Sequence, residues 1–256
     1  MFYKKTVKII GICGHDFCGS TLLSRLFAAI PSVASGGELR WLIDDPSDKG
    51  KCSVCGDRCD VFTPEMKQWL TEDNLYESVA TAFGKNILIS SDKGWDQYQR
   101  FVKEGGLTGI VLFRSLEGTA SSDRKHQTVW PITKRSTVEA SLAHWVMVYR
   151  RLLIWSEQYC KDHVFLNYES LVANPKAIME KLCDRIGIIL ERPFPSGQLV
   201  TNYHSVLGNP SAHKSGKVYT DLSWKNKLSA AEISFLQNHR EAKALLSQMK
   251  KRAIKP

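Results

Sequence analysis

The feature that most constrains this 256-residue chain is a glycine-framed turn near its start. The apolar run Val7 to Cys13 is followed at once by Gly14-His15-Asp16-Phe17-Cys18-Gly19-Ser20-Thr21, and then by the apolar stretch Leu22 to Ile30. An unbroken apolar run of that length reads as a strand buried on both faces, which is the mark of a parallel sheet. Gly14 and Gly19 set the frame Gly-x4-Gly-x-Thr, a P-loop frame whose tight backbone lets N–H groups converge on a phosphate at the positive end of the following helix. Ser20 stands where a nucleotide triphosphatase carries its lysine, so the reach to β- and γ-phosphates is missing and phosphoryl transfer is disfavoured. Ser20 and Thr21 offer hydroxyl donors in its place.

The same rhythm continues along the chain. Ile87 to Ser90, Ile110 to Phe113 and Val164 to Leu166 read as further buried strands. Leu22 to Ile30, Pro64 to Phe83, Leu116 to Lys125, Thr137 to Tyr159 and Pro175 to Ile186 read as helices, with Pro64 and Pro175 suited to first turns. This β-α alternation predicts an α/β fold of three layers, a parallel sheet flanked by helices, with a ligand at the carboxyl ends of the strands. A single domain over 1–256 is expected, with a polar insertion at 40–63 and a second irregular segment at 191–228 before two short helices. Hydrophobic residues make up 43% of the chain, which supplies a sizeable core and excludes disorder for most of it. The 35 Lys and Arg exceed the 26 Asp and Glu by 9, favouring polyanionic ligands. No apolar run is long enough for a membrane-spanning helix, and Met1 to Lys5 with the apolar residues after it read as a first strand rather than a secretion signal.

A second anion site is indicated further on. The strand Ile110 to Phe113 ends in Arg114, and Ser122 follows eight residues later on the next helix. A kinase would prefer a magnesium-binding aspartate there, whereas arginine presents a rigid fork for a phosphate. After Ile87 to Ser90 comes Ser91-Asp92-Lys93, in which Lys93 is a candidate cation and Asp92 invites a rival reading as a magnesium ligand. In Pro31 to Arg40 a short strand runs into Gly36-Gly37-Glu38, presenting a carboxylate that can act as a general base. His15 is a competing base whose place in the turn suits it better to contacting a phosphate.

The chain has seven cysteines, an odd count that makes a reducing cytoplasm the default. Cys13, Cys18, Cys160 and Cys183 lie singly in regular segments, as buried thiols do. Cys52, Cys55 and Cys59 have the spacing C-x2-C-x3-C, which can hold a structural zinc or contain one disulfide. No fourth ligand is evident in the sequence, so free thiols in a substrate-side loop are expected, with a structural zinc and a disulfide as the two alternatives.

Taken in order, these residues resemble the sulfotransferase superfamily. Cys18-Gly19-Ser20-Thr21-Leu22-Leu23 is similar to its 5′-phosphosulfate loop, and Arg114 to Ser122 to its 3′-phosphate motif. Leu166 to Val172 with Asn174-Pro175 resembles its Tyr-Glu-Asp-Leu segment, while Gly208-Asn209-Pro210 and Lys214-Ser215-Gly216 with Trp224-Lys225 resemble its donor-covering loop. Phe17 and Cys18 depart from the pattern, replacing a basic residue and a serine. The segment around Glu38 is similar to that of tyrosylprotein sulfotransferases, in which a glutamate is the base.

The resemblance implies a P-loop-like sulfotransferase fold and 3′-phosphoadenosine 5′-phosphosulfate as donor, with no metal required. Gly14, His15, Phe17, Cys18, Gly19, Ser20, Thr21 and Leu22 would hold its 5′ end. Arg114, Ser122, Tyr168, Lys214, Ser215 and Gly216 would hold the 3′-phosphate end. Glu38 would take the proton of a hydroxyl or amine acceptor on a small molecule, glycan or peptide, with Lys93 at the departing oxygen. Three other readings stand beside it: a nucleotide or small-molecule kinase using Asp92, a nucleotide-binding relative with weak or no turnover, and, on charge alone, a nucleic-acid-binding protein.

Overall fold

The computed structural model describes residues 7–127, 135–195, 199–201, 203–210, 213 and 216–256. Five strands, β1 (Lys8–Cys13), β2 (Val33–Ser35), β3 (Ile87–Lys93), β4 (Leu107–Phe113) and β5 (His163–Asn167), form a parallel sheet in the order β2-β3-β1-β4-β5, flanked by helices. Every residue of β4 is buried, and so are all but the first of β1, as a strand covered on both faces requires. The strand order reverses beside β1, so the glycine-framed turn leaves the sheet at the kind of position where open α/β sheets bind ligands.

The chain divides into two compact units, and the division runs through that turn. The first comprises Met1–Cys13, Ser20–Ile110 and Gly197–Val218. Here β1 pairs with β3 so that Ile10 faces Ile89, and β2 pairs with β3 so that Ser35 faces Ile89. Register slips near the end of β1: Gly11 opposes Ser90 but Cys13 opposes Lys93, a bulge that re-aims the last residues of β3. Helix α1 (Ser20–Ala28) buries Leu23, Leu26 and Phe27 in this unit's core.

The second unit comprises Gly14–Gly19, Val111–Ser196 and Tyr219–Pro256. Its longest helix, Val138–Gln158, buries Leu142, Trp145, Val146, Tyr149, Leu152 and Leu153, which recur every three or four residues and so share one face. Burying each large apolar side chain contributes about 1.5–3 kcal/mol, enough to specify which way the helix faces. Thr137 starts the helix by accepting the Ala140 N–H at 3.2 Å. Asn167 does the same for the helix Tyr168–Ala173, accepting from the Ser170 N–H, and Pro175 opens the next helix to Arg185.

One expected element differs. The stretch Pro64 to Phe83 is two helices, Pro64–Gln68 and Leu75–Ala82. Asn74 accounts for the break: its side-chain oxygen accepts the Thr71 N–H at 2.8 Å and its nitrogen donates to the Trp69 carbonyl at 2.9 Å. Those bonds give the backbone of 69–74 an alternative to the helical ladder. Among the described residues, no helix is long and apolar enough to cross a membrane.

Candidate functional site

In the second unit the turn after β1 is held in an unusual conformation. Phe17 has φ of 60° and Gly19 of +104°. The left-handed backbone at Gly19 is also pressed against Tyr168, since a Cβ there would stand 2.3 Å from the Tyr168 ring. Phe17 tolerates its strained conformation with its ring stacked on His126, centroids 4.5 Å apart. The turn is tied down by the Tyr149 hydroxyl, which accepts the His15 N–H at 3.3 Å and donates to the Leu112 carbonyl at 2.9 Å.

Arg114 lies on the same turn. Its Nη1 is 3.4 Å from both the Phe17 carbonyl and the Ser122 hydroxyl, and its guanidinium lies 4.8 Å from the centre of the Tyr168 ring. Its Nη2 pairs with Asp221 at 3.2 Å. Burial works against the Asp221 carboxylate, but the Ser223 N–H and Arg114 outweigh it and hold Asp221 below the usual carboxylate range. Glu169 braces the segment that carries the arginine, accepting the Ser115 N–H at 2.9 Å and the Asn167 amide at 2.7 Å. Arg114, Ser122 and Tyr168, expected together from sequence, are thus side by side, and the Phe17 carbonyl lies beside them.

His15 is buried, and its surroundings were not visible in the sequence. Its Nδ1 donates to the Asp16 carbonyl at 2.7 Å, leaving Nε2 as the acceptor of the His144 Nδ1–H at 2.8 Å. Arg135 ties the group together, pairing with Asp16 at 2.7 Å and with Asp123 at 3.2 Å, while Ser141 donates to Asp123 at 2.5 Å. Burial lowers His15 to about 3, so its imidazole is neutral at physiological pH, and burial raises Asp123 to about 6. His15 therefore faces a protein network that positions the turn. Nothing in the spacing of Asp123, Arg135 and His144 signals this network.

In the first unit Glu38 and Lys93 meet. Lys93 Nζ is 2.5 Å from Glu38 Oε1, and both side chains are mostly shielded, 18% and 13% exposed. Gly37 has φ of +80° and lets the backbone on either side grip Val206, with the Glu38 N–H donating to the Val206 carbonyl at 2.9 Å and the Val206 N–H to the Gly36 carbonyl at 2.7 Å. Asp92 is fully committed to the protein: one oxygen accepts the Arg40 N–H at 2.9 Å, the other accepts the hydroxyls of Ser90 at 2.6 Å and Tyr76 at 2.9 Å. Burial raises Asp92 to about 6. A carboxylate so occupied is poorly suited to magnesium.

Ser20, Thr21 and Leu22 open α1 in the same unit, and Thr21 Oγ1 accepts the Asn209 N–H at 3.0 Å, tying the Gly208-Asn209-Pro210 segment to the helix start. Gly216 is exposed. Lys214 and Ser215 lie outside the described residues. Cys52, Cys55 and Cys59 gather with His204, whose place beside them the cysteine spacing does not signal.

Solved structures share this architecture. The sulfotransferase domain from the curacin biosynthetic pathway matches with a TM-score of 0.63 at 18% identity, covering 98% of this chain and 99% of that one. The sulfotransferase domain from the Synechococcus PCC 7002 olefin synthase matches at 0.60 and 16% identity, covering 98% of each chain. The fold is that of the sulfotransferases. Mouse sulfotransferase SULT7A1, solved in complex with PAP, matches at 0.54 and 14% identity, over 94% of this chain and 88% of that one. Neither a family model nor a curated protein matches the chain by sequence. The sulfotransferase fold expected from four short motifs is therefore present.

Proposed function

We propose that the whole chain acts as one sulfotransferase domain, moving a sulfuryl group from 3′-phosphoadenosine 5′-phosphosulfate to a hydroxyl or amine and releasing adenosine 3′,5′-bisphosphate. The observation that carries this reading is the Arg114 group on the glycine-framed turn within a sulfotransferase fold. Arg114, Ser122 and Tyr168, with Lys214, Ser215 and Gly216, bind the 3′-phosphate end, and Asp221 keeps the arginine paired until the phosphate displaces it. Backbone N–H groups of the turn and the hydroxyls of Ser20 and Thr21 take the 5′ end.

In the reaction the acceptor oxygen or nitrogen attacks sulfur in line, and the bond from sulfur to the bridging phosphate oxygen breaks. The electron pair leaves on the bisphosphate, and the acceptor proton passes to a Glu38 oxygen. Lys93 stabilises the departing oxygen. A sulfuryl group bears a single negative charge, so fixed donors and one cation meet most of its electrostatic demand, and no metal is invoked. Pairing between Lys93 and Glu38 gives this an order: when the ammonium turns to the donor, the carboxylate is released to act as base. Phe17 offers no cation of its own, which leaves the task to Lys93. His15 supports the turn through its network. The odd count of seven cysteines supports work in a reducing cytoplasm.

A ligand-stabilisation screen without added metal tests the donor site. Adenosine 3′,5′-bisphosphate at about 100 times its dissociation constant adds roughly 2.7 kcal/mol, and AMP much less. An equal response to the two would remove the 3′-phosphate assignment, and metal-dependent consumption of ATP would favour a kinase. Turnover is measured by screening hydroxylated small molecules, glycans and peptides with labelled donor. Glu38→Gln lowers it roughly 10²–10⁴-fold without loss of bisphosphate affinity. Near-normal turnover in that variant would show that Glu38 is not the base.

A further inference from the structure

We propose that Cys52, Cys55, Cys59 and His204 form a structural zinc site that fixes the segment carrying Glu38. Their four ligand atoms all lie within 4.8 Å of one another. His204 Nδ1 is 3.5 Å from the Cys55 sulfur and 3.3 Å from the Cys59 sulfur. Ligands placed 2.0–2.3 Å from one tetrahedral ion stand roughly 3.3–3.8 Å apart, so closure around zinc needs only small movements. Three thiolates and an imidazole are a soft tetrahedral set, which selects zinc over magnesium or calcium.

The surrounding structure is built around those four atoms. Gly56, at φ +62°, turns the chain so that its N–H reaches the Cys52 carbonyl at 2.9 Å. The Cys55 N–H points at the Cys52 sulfur at 3.4 Å, and the Phe62 N–H at the Cys59 sulfur at 3.3 Å. The second nitrogen of His204 faces Asp60 at 3.6 Å, the usual arrangement for orienting a metal-bound imidazole. Phe62 and Phe83 lie against the His204 ring, and Cys52 and Cys59 are buried. A disulfide would use two sulfurs and leave the third, and the histidine, without a reason to be there.

The site is wired to the Glu38 segment. The Ser53 N–H donates to the Ser205 carbonyl at 2.7 Å, the Ser53 hydroxyl donates to the Leu207 carbonyl at 2.9 Å, and Cys52 bridges to Val206. Val206 in turn holds both Gly36 and Glu38. Zinc would thus lock the 204–207 segment, and that segment holds Glu38. The metal assignment stands on its own geometry, whereas its effect on turnover rests on the sulfotransferase reading.

The test is elemental analysis of the full chain purified without chelator. One zinc per chain is expected. Cys55→Ser and His204→Gln each bind zinc at least about 10-fold more weakly, Asp60→Asn about 10-fold, and Cys183→Ser, outside the cluster, as the wild type. Should the ligand variants fail to fold, cobalt titrated into chelator-stripped wild type gives the same answer: a thiolate charge-transfer band and tetrahedral visible bands that saturate at one equivalent. Absence of both zinc and the cobalt spectrum, a Cys52–Cys55 disulfide in the freshly isolated protein, or iron in place of zinc would overturn the proposal. Stripped protein should lose transfer yet still bind adenosine 3′,5′-bisphosphate. One zinc per chain in a protein that transfers to no acceptor would leave the metal site standing and sink the sulfotransferase reading.

Discussion

Replacing Gly37 by alanine tests how the fold presents Glu38. A Cβ at Gly37 would lie 2.4 Å from the Ser205 hydroxyl, 2.4 Å from the Val206 carbonyl oxygen and 2.9 Å from the Val206 nitrogen. The hydroxyl can rotate away, but the Val206 backbone cannot, because it is also bridged to Cys52. Holding alanine at φ +80° costs about 1–2 kcal/mol on its own. Overpacking against fixed backbone adds about 1–3 kcal/mol. Loss of the two hydrogen bonds between Val206 and the Gly36–Glu38 segment adds about 1 kcal/mol each. The sum is about 4–7 kcal/mol, a large share of the roughly 5–15 kcal/mol that stabilises a typical domain. Gly84 is the matched control, since it has φ of +65° and nothing within 4 Å of an added Cβ, so Gly84→Ala carries only the backbone cost of about 1–2 kcal/mol. Urea unfolding of both variants reads the difference as a shift in midpoint. Equal destabilisation would refute the close approach between Gly37 and Val206, and with it the account of how Glu38 is held.

Three further predictions concern the second unit. Arg114→Ala weakens adenosine 3′,5′-bisphosphate binding by about 1.5–3 kcal/mol in titration calorimetry, the range for hydrogen bonds to a charged partner. Asp221→Asn strengthens it by removing the competing carboxylate, and unchanged affinity in both variants would move the 3′-phosphate elsewhere. For His15, burial holds the folded-state value near 3 against 6.5 in the unfolded chain, so its contribution to stability is complete above pH 6.5 and is lost as pH falls toward 3, by about 1.4 kcal/mol per pH unit. The His15 ring resonance should stay neutral at pH 5 by NMR, and titration near pH 6.5 would contradict its burial.

Sequence legibility follows chain distance. The turn from Gly14 to Thr21 was readable because its strand, glycines and helix are adjacent, so one window holds the whole physical requirement. Arg114 and Ser122 were readable for the same reason, since a strand end and the first turns of the next helix fix their separation. Pro64 to Phe83 failed locally instead, because Asn74 redirects the backbone through side-chain bonds that an apolar pattern does not record.

Residues that need the sheet to bring them together were legible only singly. Glu38 and Lys93 each stood out beside a strand end, but their pairing across 55 residues depends on β2 and β3 being neighbours and on the bulge that turns Lys93. His204 is 145 residues from Cys59 and lies in an irregular segment without periodicity, so the cysteine spacing does not signal the histidine that the fold brings within 3.3 Å of Cys59. Asp221 was hidden in the same way, since an aspartate in a loop means nothing until Arg114 is opposite it. The two cations central to the proposed chemistry are thus each held by a carboxylate that folding, and not spacing, provides. The basic excess of 9 already subtracts both carboxylates, so it does not record that a ligand must displace Asp221 from Arg114 and Glu38 from Lys93 to reach these two cations.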